Sequence, residues 1–329
     1  VLAGMLQVVW MLWSLRGTVQ WTWNRADAIE PMRKVMHATL PMLLGVAVLQ
    51  LNVFLDSMIA GYPVIFGTEV FLGWQYPLDT GAMAVLSFAQ RLYQFPLGVF
   101  AIAVATAIYP LLASQSRNTE QFGDTVRRGL RLVMFVGLPA SIGLMLVREP
   151  LTALIYQGWA FTGTDTGEVS TVLLGYAVAI WAYSANGVLA RVCYARMDMR
   201  TPVRIAVQMV ALNLMLNMTL IWTPLGISGL AWSTAICAVL QTALLLRAVS
   251  HHVHKPIDAA VGRSMLTSLM LAIVMGIGVF IVMSMLGPAD GFGPRLLHIA
   301  LLVATGTVLY GGGAMLLRMS ELRLLFTRG

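Results

Sequence analysis

The fold of this chain is limited most by apolar stretches of about 20 residues that recur from end to end, the length an α-helix needs to cross a hydrocarbon core of about 30 Å. They are Val1–Leu15, Pro41–Ala60, Ala82–Ala113, Leu130–Val147, Val172–Ala190, Ile205–Trp222, Gly226–Leu246, Met265–Leu286 and Leu296–Leu317. None shows the alternating apolar and polar pattern of a membrane β-barrel strand, so all nine are expected to be helices. With 58% hydrophobic and 11% charged residues and a mean hydropathy of +0.79, the composition leaves no soluble domain of any size. The fold class is all-α, a polytopic transmembrane helix bundle.

The loops between these spans alternate in charge. One set holds Arg16, Arg25, Arg33 and Lys34, then Arg117, Arg127, Arg128 and Arg131, then Arg191, Arg196, Arg200 and Arg204, then Arg247, Lys255 and Arg263, and last Arg318, Arg323 and Arg328. The other set holds only Arg148 and Arg295, against Glu69, Asp79, Glu149, Asp165, Glu168 and Asp290. The positive-inside rule makes the first set cytoplasmic and leaves the C-terminus inside. The net charge of +7 is thus a matter of topology, and no nucleic-acid partner is implied. The chain opens on Val1 in mid-helix with no signal peptide, and is expected to be an N-terminally truncated piece.

Two charges fall inside spans, Asp56 in LNVFLDSMIAG and Arg91 in GAMAVLSFAQRLYQFPLG. A charge at the centre of the hydrocarbon costs about 3 kcal/mol or more and is kept where it faces a cavity or a partner. From the span ends, Asp56 lies ~6 Å and Arg91 ~14 Å below the outer surface, at 1.5 Å per residue. Asn213 and Asn217, one helical turn apart, and Thr234 fall at overlapping depths. A carboxylate, two amide oxygens and a hydroxyl are hard ligands for a small cation such as Na⁺; a buried carboxylate alternatively takes H⁺. Arg91 offers a planar fork that matches phosphate. Pro96, five residues on, removes a backbone donor and is the expected hinge. The static alternatives are an Asp56–Arg91 ion pair, an outward-snorkelling Arg91, and asparagines that merely join helices.

Elsewhere the chemistry is sparse. Cys193 and Cys237 read as core thiols. The histidines of SHHVHK (250–255) lack carboxylate or thiolate company and read as a solvated loop. The loop Gly61–Thr80 reads as irregular, and Thr18–His37, with Trp21 and Trp23, equally as a helix lying on the cytoplasmic face or as a solvated linker. No nucleotide-binding, zinc or redox motif is present, so no cofactor is expected beyond Na⁺ or H⁺ as a coupling ion.

LNVFLDSMIAG, followed by the run AQRLYQFPLGVFAIAVATAIYPLLAS, resembles the MurJ/MviN family of lipid II flippases, within the superfamily of multidrug and polysaccharide exporters. GLRLVMFVGLPASIGLM, LLGYAVAIWAYSANGVLARVCYARMDMRTPVRIA and GISGLAWSTA agree in order along the chain. The resemblance implies a two-lobed protein of fourteen helices, of which these would be the last nine. Residues 1–15 would be the last helix of the first lobe, 16–40 an amphipathic connector, 41–247 the second six-helix lobe and 264–318 two appended helices.

It further implies a non-enzymatic transporter of the bacterial inner membrane. That transporter would carry lipid II, the undecaprenyl-diphosphate-linked disaccharide-peptide of cell-wall synthesis, to the outer leaflet by alternating access. Arg91, with Gln90 and Gln94, matches the family's substrate cavity, and Asp56, Asn213, Asn217 and Thr234 match its sodium site. Asparagine stands at position 217 where relatives carry aspartate, so one negative charge is missing. The missing N-terminal lobe is an implied partner, without which this piece is not expected to transport. Alternatives are an exporter of other lipid-linked oligosaccharides or drugs, a polyprenyl-lipid enzyme, and a transport-dead membrane scaffold. The enzyme reading lacks the clustered acidic, His or Ser residues it needs, and Arg91 opposes a cationic-drug cavity.

Overall fold

The computed structural model describes residues 2–16, 29–30, 32–33, 36, 50–67, 70–115, 118–287, 289 and 291–322. The chain divides into two compact units, Val1–Leu43 and Leu44–Gly329. In the first, α1 (Leu2–Ser14) is a short apolar helix on which the rings of Trp10 and Trp13 lie 5.6 Å apart. Most of the connector expected over 16–40, including Trp21, Trp23, Arg25 and Lys34, lies outside the described residues.

The second unit begins its described part with a helix over residues 50–60, α2. The expected start of this span, 41–49, lies outside the described residues. The loop that follows is not irregular as expected. It holds α3 (Tyr62–Phe66) and an antiparallel pair, β1 (Val70–Phe71) and β2 (Trp74–Gln75). The aromatics supply the reason. The Tyr62 ring centroid is 5.5 Å from Phe71 and 4.6 Å from Tyr76, and the Tyr76 hydroxyl donates to the Ile59 carbonyl at 2.7 Å, pinning the loop to α2.

The span expected as one helix over Ala82–Ala113 is three segments: α4 (Ala82–Pro96), a π-helical stretch (Leu97–Ile102) and α5 (Ala103–Ser114). Pro96 has no N–H and its ring excludes the normal approach of the preceding turn, so the wider winding starts at the next residue. The span expected over Leu130–Val147 is far longer, since α6 runs from Thr119 to Tyr156. It starts where Asn118 caps the amide of Gln121 at 3.2 Å, and it carries Arg148 within the helix rather than in a loop. The span expected over Val172–Ala190 is a pair, α7 (Gly163–Val178) and α8 (Ile180–Ala195), bent by 42°. The break is supported from α6. The amide of Trp181 donates to the Ser141 hydroxyl at 3.1 Å, and Gly137 admits the Trp181 backbone. Then follow α9 (Arg200–Leu220), α10 (Ser228–Val249), α11 (Ala259–Met285) and α12 (Phe292–Leu316). Among the described residues, five helices are long and apolar enough to span a membrane, or six if the bent pair is one span. The protein is a multi-pass helical membrane protein.

The long helix α6 organises this unit because it has two apolar faces. Phe122, Val126, Leu130, Val133 and Leu144 join the cores built with α4, α5, α7 and α8. Phe135, with Val136, Leu138, Ile142 and Leu146, packs against α11 and α12. The Tyr310 hydroxyl on α12 donates to the Phe135 carbonyl at 2.6 Å. At the basic end, buried Glu321 accepts from Arg131 Nε and from the Ser264 hydroxyl, each at 2.6 Å, joining α6, α11 and the segment after α12. The histidine loop is less solvated than expected, because His252 faces Asp198 at 3.6 Å and the His254 carbonyl accepts from Arg127 at 3.2 Å. Both cysteines are free and buried.

Two consequences are measurable. A Cβ on Gly175 would lie 2.8 Å from Ala231 Cβ and 3.1 Å from the Trp232 amide nitrogen, so α7 and α10 must part in Gly175→Ala. The expected cost is about 1–3 kcal/mol, read as a lower unfolding midpoint in detergent. The Glu321 carboxyl is pushed up by burial, but Ser264 and Arg131 outweigh this and hold it below its ordinary 4.5. Its contribution to stability is therefore present above pH 4.5 and is lost as pH falls through the lower folded value. Glu321→Gln should unfold more readily at pH 7 than the parent, and the gap should close as pH falls below the ordinary carboxyl value of 4.5. A gap that stayed constant with pH would show that the charge of Glu321 is not what joins these segments.

Candidate functional site

Helices α2, α9 and α10 meet at a buried polar cluster. Asp56 comes from α2, Asn213 and Asn217 from one face of α9, and Ser233 and Thr234 from the start of α10. Asp56 is 2% exposed and Asn217 fully buried, so each polar atom there must find its partner inside the protein. Asn217 Nδ2 donates to Asp56 Oδ1 at 2.6 Å and to Asn213 Oδ1 at 2.9 Å. The Ser233 hydroxyl donates to Asn217 Oδ1 and fixes which way that amide points. Asn52, one turn before Asp56, donates to Asp56 Oδ2 at 3.4 Å.

Asn213 has partners in either orientation of its amide. In one, its Nδ2 donates to Ser233 at 3.3 Å and Thr234 at 3.2 Å. Turned by half a rotation, its Nδ2 donates to Asp56 Oδ1 and Asn52 Oδ1, both at 3.1 Å, and its oxygen accepts from Thr234 at 3.2 Å. The cluster thus holds one carboxylate, two amide oxygens and two hydroxyls. These hard oxygens fit a small cation of single charge, which one carboxylate neutralises. Among the described residues no group of three or more His, Cys, Asp or Glu offers an alternative metal site.

Arg91 is placed elsewhere. It lies on the exposed face of α4, makes no ion pair with a described residue, and is not joined to Asp56. Its guanidinium is within electrostatic reach of the Tyr156 hydroxyl at the end of α6. Gln94, one turn further along α4, is exposed beside it. Gln90 is turned inward, its Nε2 donating to the Tyr176 hydroxyl at 3.2 Å. Three tyrosines pack next to Gln90. Tyr93 stacks on Tyr176 at 4.5 Å and lies 5.7 Å from Tyr183, whose hydroxyl is buried without a hydrogen-bond partner among the described residues.

The structure therefore brings Asp56, Asn213, Asn217 and Thr234 into one cluster, and sets Arg91 and Gln94 on a separate face. Pro96 marks the α-to-π transition. Sequence reasoning missed Asn52 and Ser233. Asn52 was legible as the residue four before Asp56, and Ser233 as the neighbour of Thr234.

The model of the lipid II flippase MurJ family matches residues 1–298. The chain belongs to the MurJ family of lipid II flippases. The probable lipid II flippase MurJ of Vibrio cholerae is 33% identical over 230 residues, 69% of this chain and 40% of that protein. The corresponding protein of Haemophilus influenzae is 31% identical over 239 residues, 70% of this chain and 43% of that one. The chain thus matches less than half the length of these MurJ relatives. Among solved structures, a lipid II flippase MurJ in an inward closed conformation superposes with a TM-score of 0.69 at 19% identity, covering 92% of this chain and 57% of that one. An outward-facing multidrug-resistance MATE family transporter superposes with a TM-score of 0.55 at 16% identity, covering 88% and 66%. The fold is that of the MurJ and MATE transporters.

Asn217 is the residue to test in the cluster. Asn217→Leu keeps volume but strips Asp56 of its 2.6 Å donor and leaves Ser233 without its acceptor amide. A loss of about 1–3 kcal/mol in stability is expected, read in chemical denaturation, with Asn217→Asp as a comparison that restores an acceptor but adds charge. Parent-like stability of the leucine variant would mean the cluster is not held by this bond.

Proposed function

We propose that this chain is the part of a MurJ-type flippase that carries one wall of its substrate cavity. The whole protein would move lipid II from the inner to the outer leaflet of the bacterial inner membrane by alternating access, without catalysing a reaction. The C-terminus would lie in the cytoplasm, by the distribution of basic loops. The observation that carries the reading is Arg91, a permanent cation exposed on the largely apolar helix α4 with no protein counter-charge among the described residues. Such a group calls for an anionic cargo, and a guanidinium fork suits a diphosphate. Family membership makes lipid II that cargo. The Asp56 cluster is the candidate for the coupling ion, Na⁺ or H⁺. Its residues are set apart from Arg91, so ion and substrate would not compete for one charge.

The test is complementation. In a bacterium depleted of its own lipid II flippase, the full-length protein should restore growth. Arg91→Ala at equal membrane abundance should not, and Arg91→Lys, which keeps charge but loses the fork, should restore it in part. Full activity of the alanine variant would sink the diphosphate role. No rescue by the parent despite normal membrane insertion would point to another lipid-linked cargo.

A further inference from the structure

One aromatic group is left over once the two polar sites are accounted for, and it adjoins Arg91. Phe88 precedes Arg91 by three residues and so shares its face of α4, one turn further from the basic end. Its ring centroid is 4.8 Å from Tyr156 and 5.6 Å from Phe161, and those two rings are 5.8 Å apart. The three side chains arrive from three places: α4, the last residue of α6, and the turn before α7. That turn is closed on itself by paired backbone bonds between Gly158 and Phe161, at 3.2 and 3.0 Å, so Phe161 is held over the end of α6. None of the three is fully buried; they pack on the edge of the core and keep part of each ring free.

The polar edge of the trio is also available. Among the described residues the Tyr156 hydroxyl has only a long 3.4 Å bond, to the Phe88 carbonyl. A rigid ring surface with a loosely engaged hydroxyl beside a cation suits a particular ligand. A pyranose offers an apolar C–H face to aromatic rings and a rim of hydroxyls to a phenol. Arg91 would hold an anionic group one helical turn away. A diphosphate directly attached to a sugar would present these two chemistries in that order, with the sugar on the side away from the basic end.

We propose that Phe88, Tyr156 and Phe161 form a sugar subsite, on which the first pyranose of a diphosphate-linked saccharide lies while Arg91 holds its diphosphate. The inference rests on the diphosphate-cargo reading of Arg91 and adds to it a determinant of glycan recognition. Tyr156 and Phe161 are positioned by backbone that does not belong to the Asp56 cluster, so the subsite can be altered without touching the ion site.

The experiment compares two probes on the detergent-solubilised full-length protein: a polyprenyl diphosphate, and the same lipid carrying an N-acetylated amino sugar on its diphosphate. The parent should bind the glycosylated lipid more tightly. Tyr156→Ala and Phe161→Ala should each weaken the glycosylated probe about five- to tenfold and leave the bare diphosphate unchanged. Tyr156→Phe, which keeps the ring, should lose no more than about threefold and guards against misfolding as the cause. Arg91→Ala should weaken both probes. Equal weakening of both probes by the alanine variants, or no weakening, overturns the subsite. A parent that binds both lipids alike also overturns it, while leaving the diphosphate role of Arg91 standing. A parent that binds neither overturns the subsite and the diphosphate reading together.

Discussion

In hydrocarbon a helix can break only where another part of the protein takes up the backbone groups that the break sets free. This constraint shapes the core of the second unit. Two of its helical runs break, one after Pro96 and one at Ala179, and both breaks lie against the same stretch of α6. Ser141 of α6 accepts the Trp181 amide, and Gly137, lacking a side chain, lets the Trp181 backbone come close. Pro96, Gly137, Ile180 and Ser184 line one small apolar cavity between the breaks. The length of α6 follows from this role. It must reach past the membrane core at both ends to support the broken helices on one face and α11 and α12 on the other.

The same logic separates the two intramembrane charges. Asp56 is held by amide donors from α9 and from its own helix, which satisfy its oxygens where it is buried. Among the described residues Arg91 has no such set of acceptors, and it is left on an exposed face. An ion pair between them would satisfy both and leave neither for a ligand. Keeping them apart preserves one site rich in oxygen ligands and one exposed cation.

Much of this was legible in the sequence. Apolar length, loop charge and the LNVFLDSMIAG and RLYQFPLG motifs gave the fold class, the family and the residues that form the polar cluster. The failures share a cause, since each depends on contacts that hydropathy does not encode. The break at Ala179 has no proline or glycine at it to announce it; it is stabilised from Ser141, some forty residues away. The folded loop after α2 looked irregular because its Gly, Pro and aromatic residues carry no periodicity, yet its rings build a small core. His252 seemed to lack acidic company because Asp198 belongs to a different loop. Gln90 and Gln94 look equivalent in the string, and only the position of Tyr176 turns one inward and leaves the other out.

A shared fold does not choose a cargo. The chain superposes on a MATE family transporter as well as on MurJ, at identities of 16% and 19%, so the helices alone are compatible with either kind of substrate. The sign of an exposed charge on α4 bears on that choice. A carboxylate there would attract cations; Arg91 repels them and, being always charged, does so at every physiological pH. The buried carboxylate at Asp56 does not cancel this, because it is enclosed among its own amide partners and is not joined to Arg91. The cluster itself carries one charge fewer than it would with an acid at position 217. Asn217 fills that place with an N–H donor aimed at Asp56, so the cluster stays joined without a bound ion, and any cation must compete with an amide already in position.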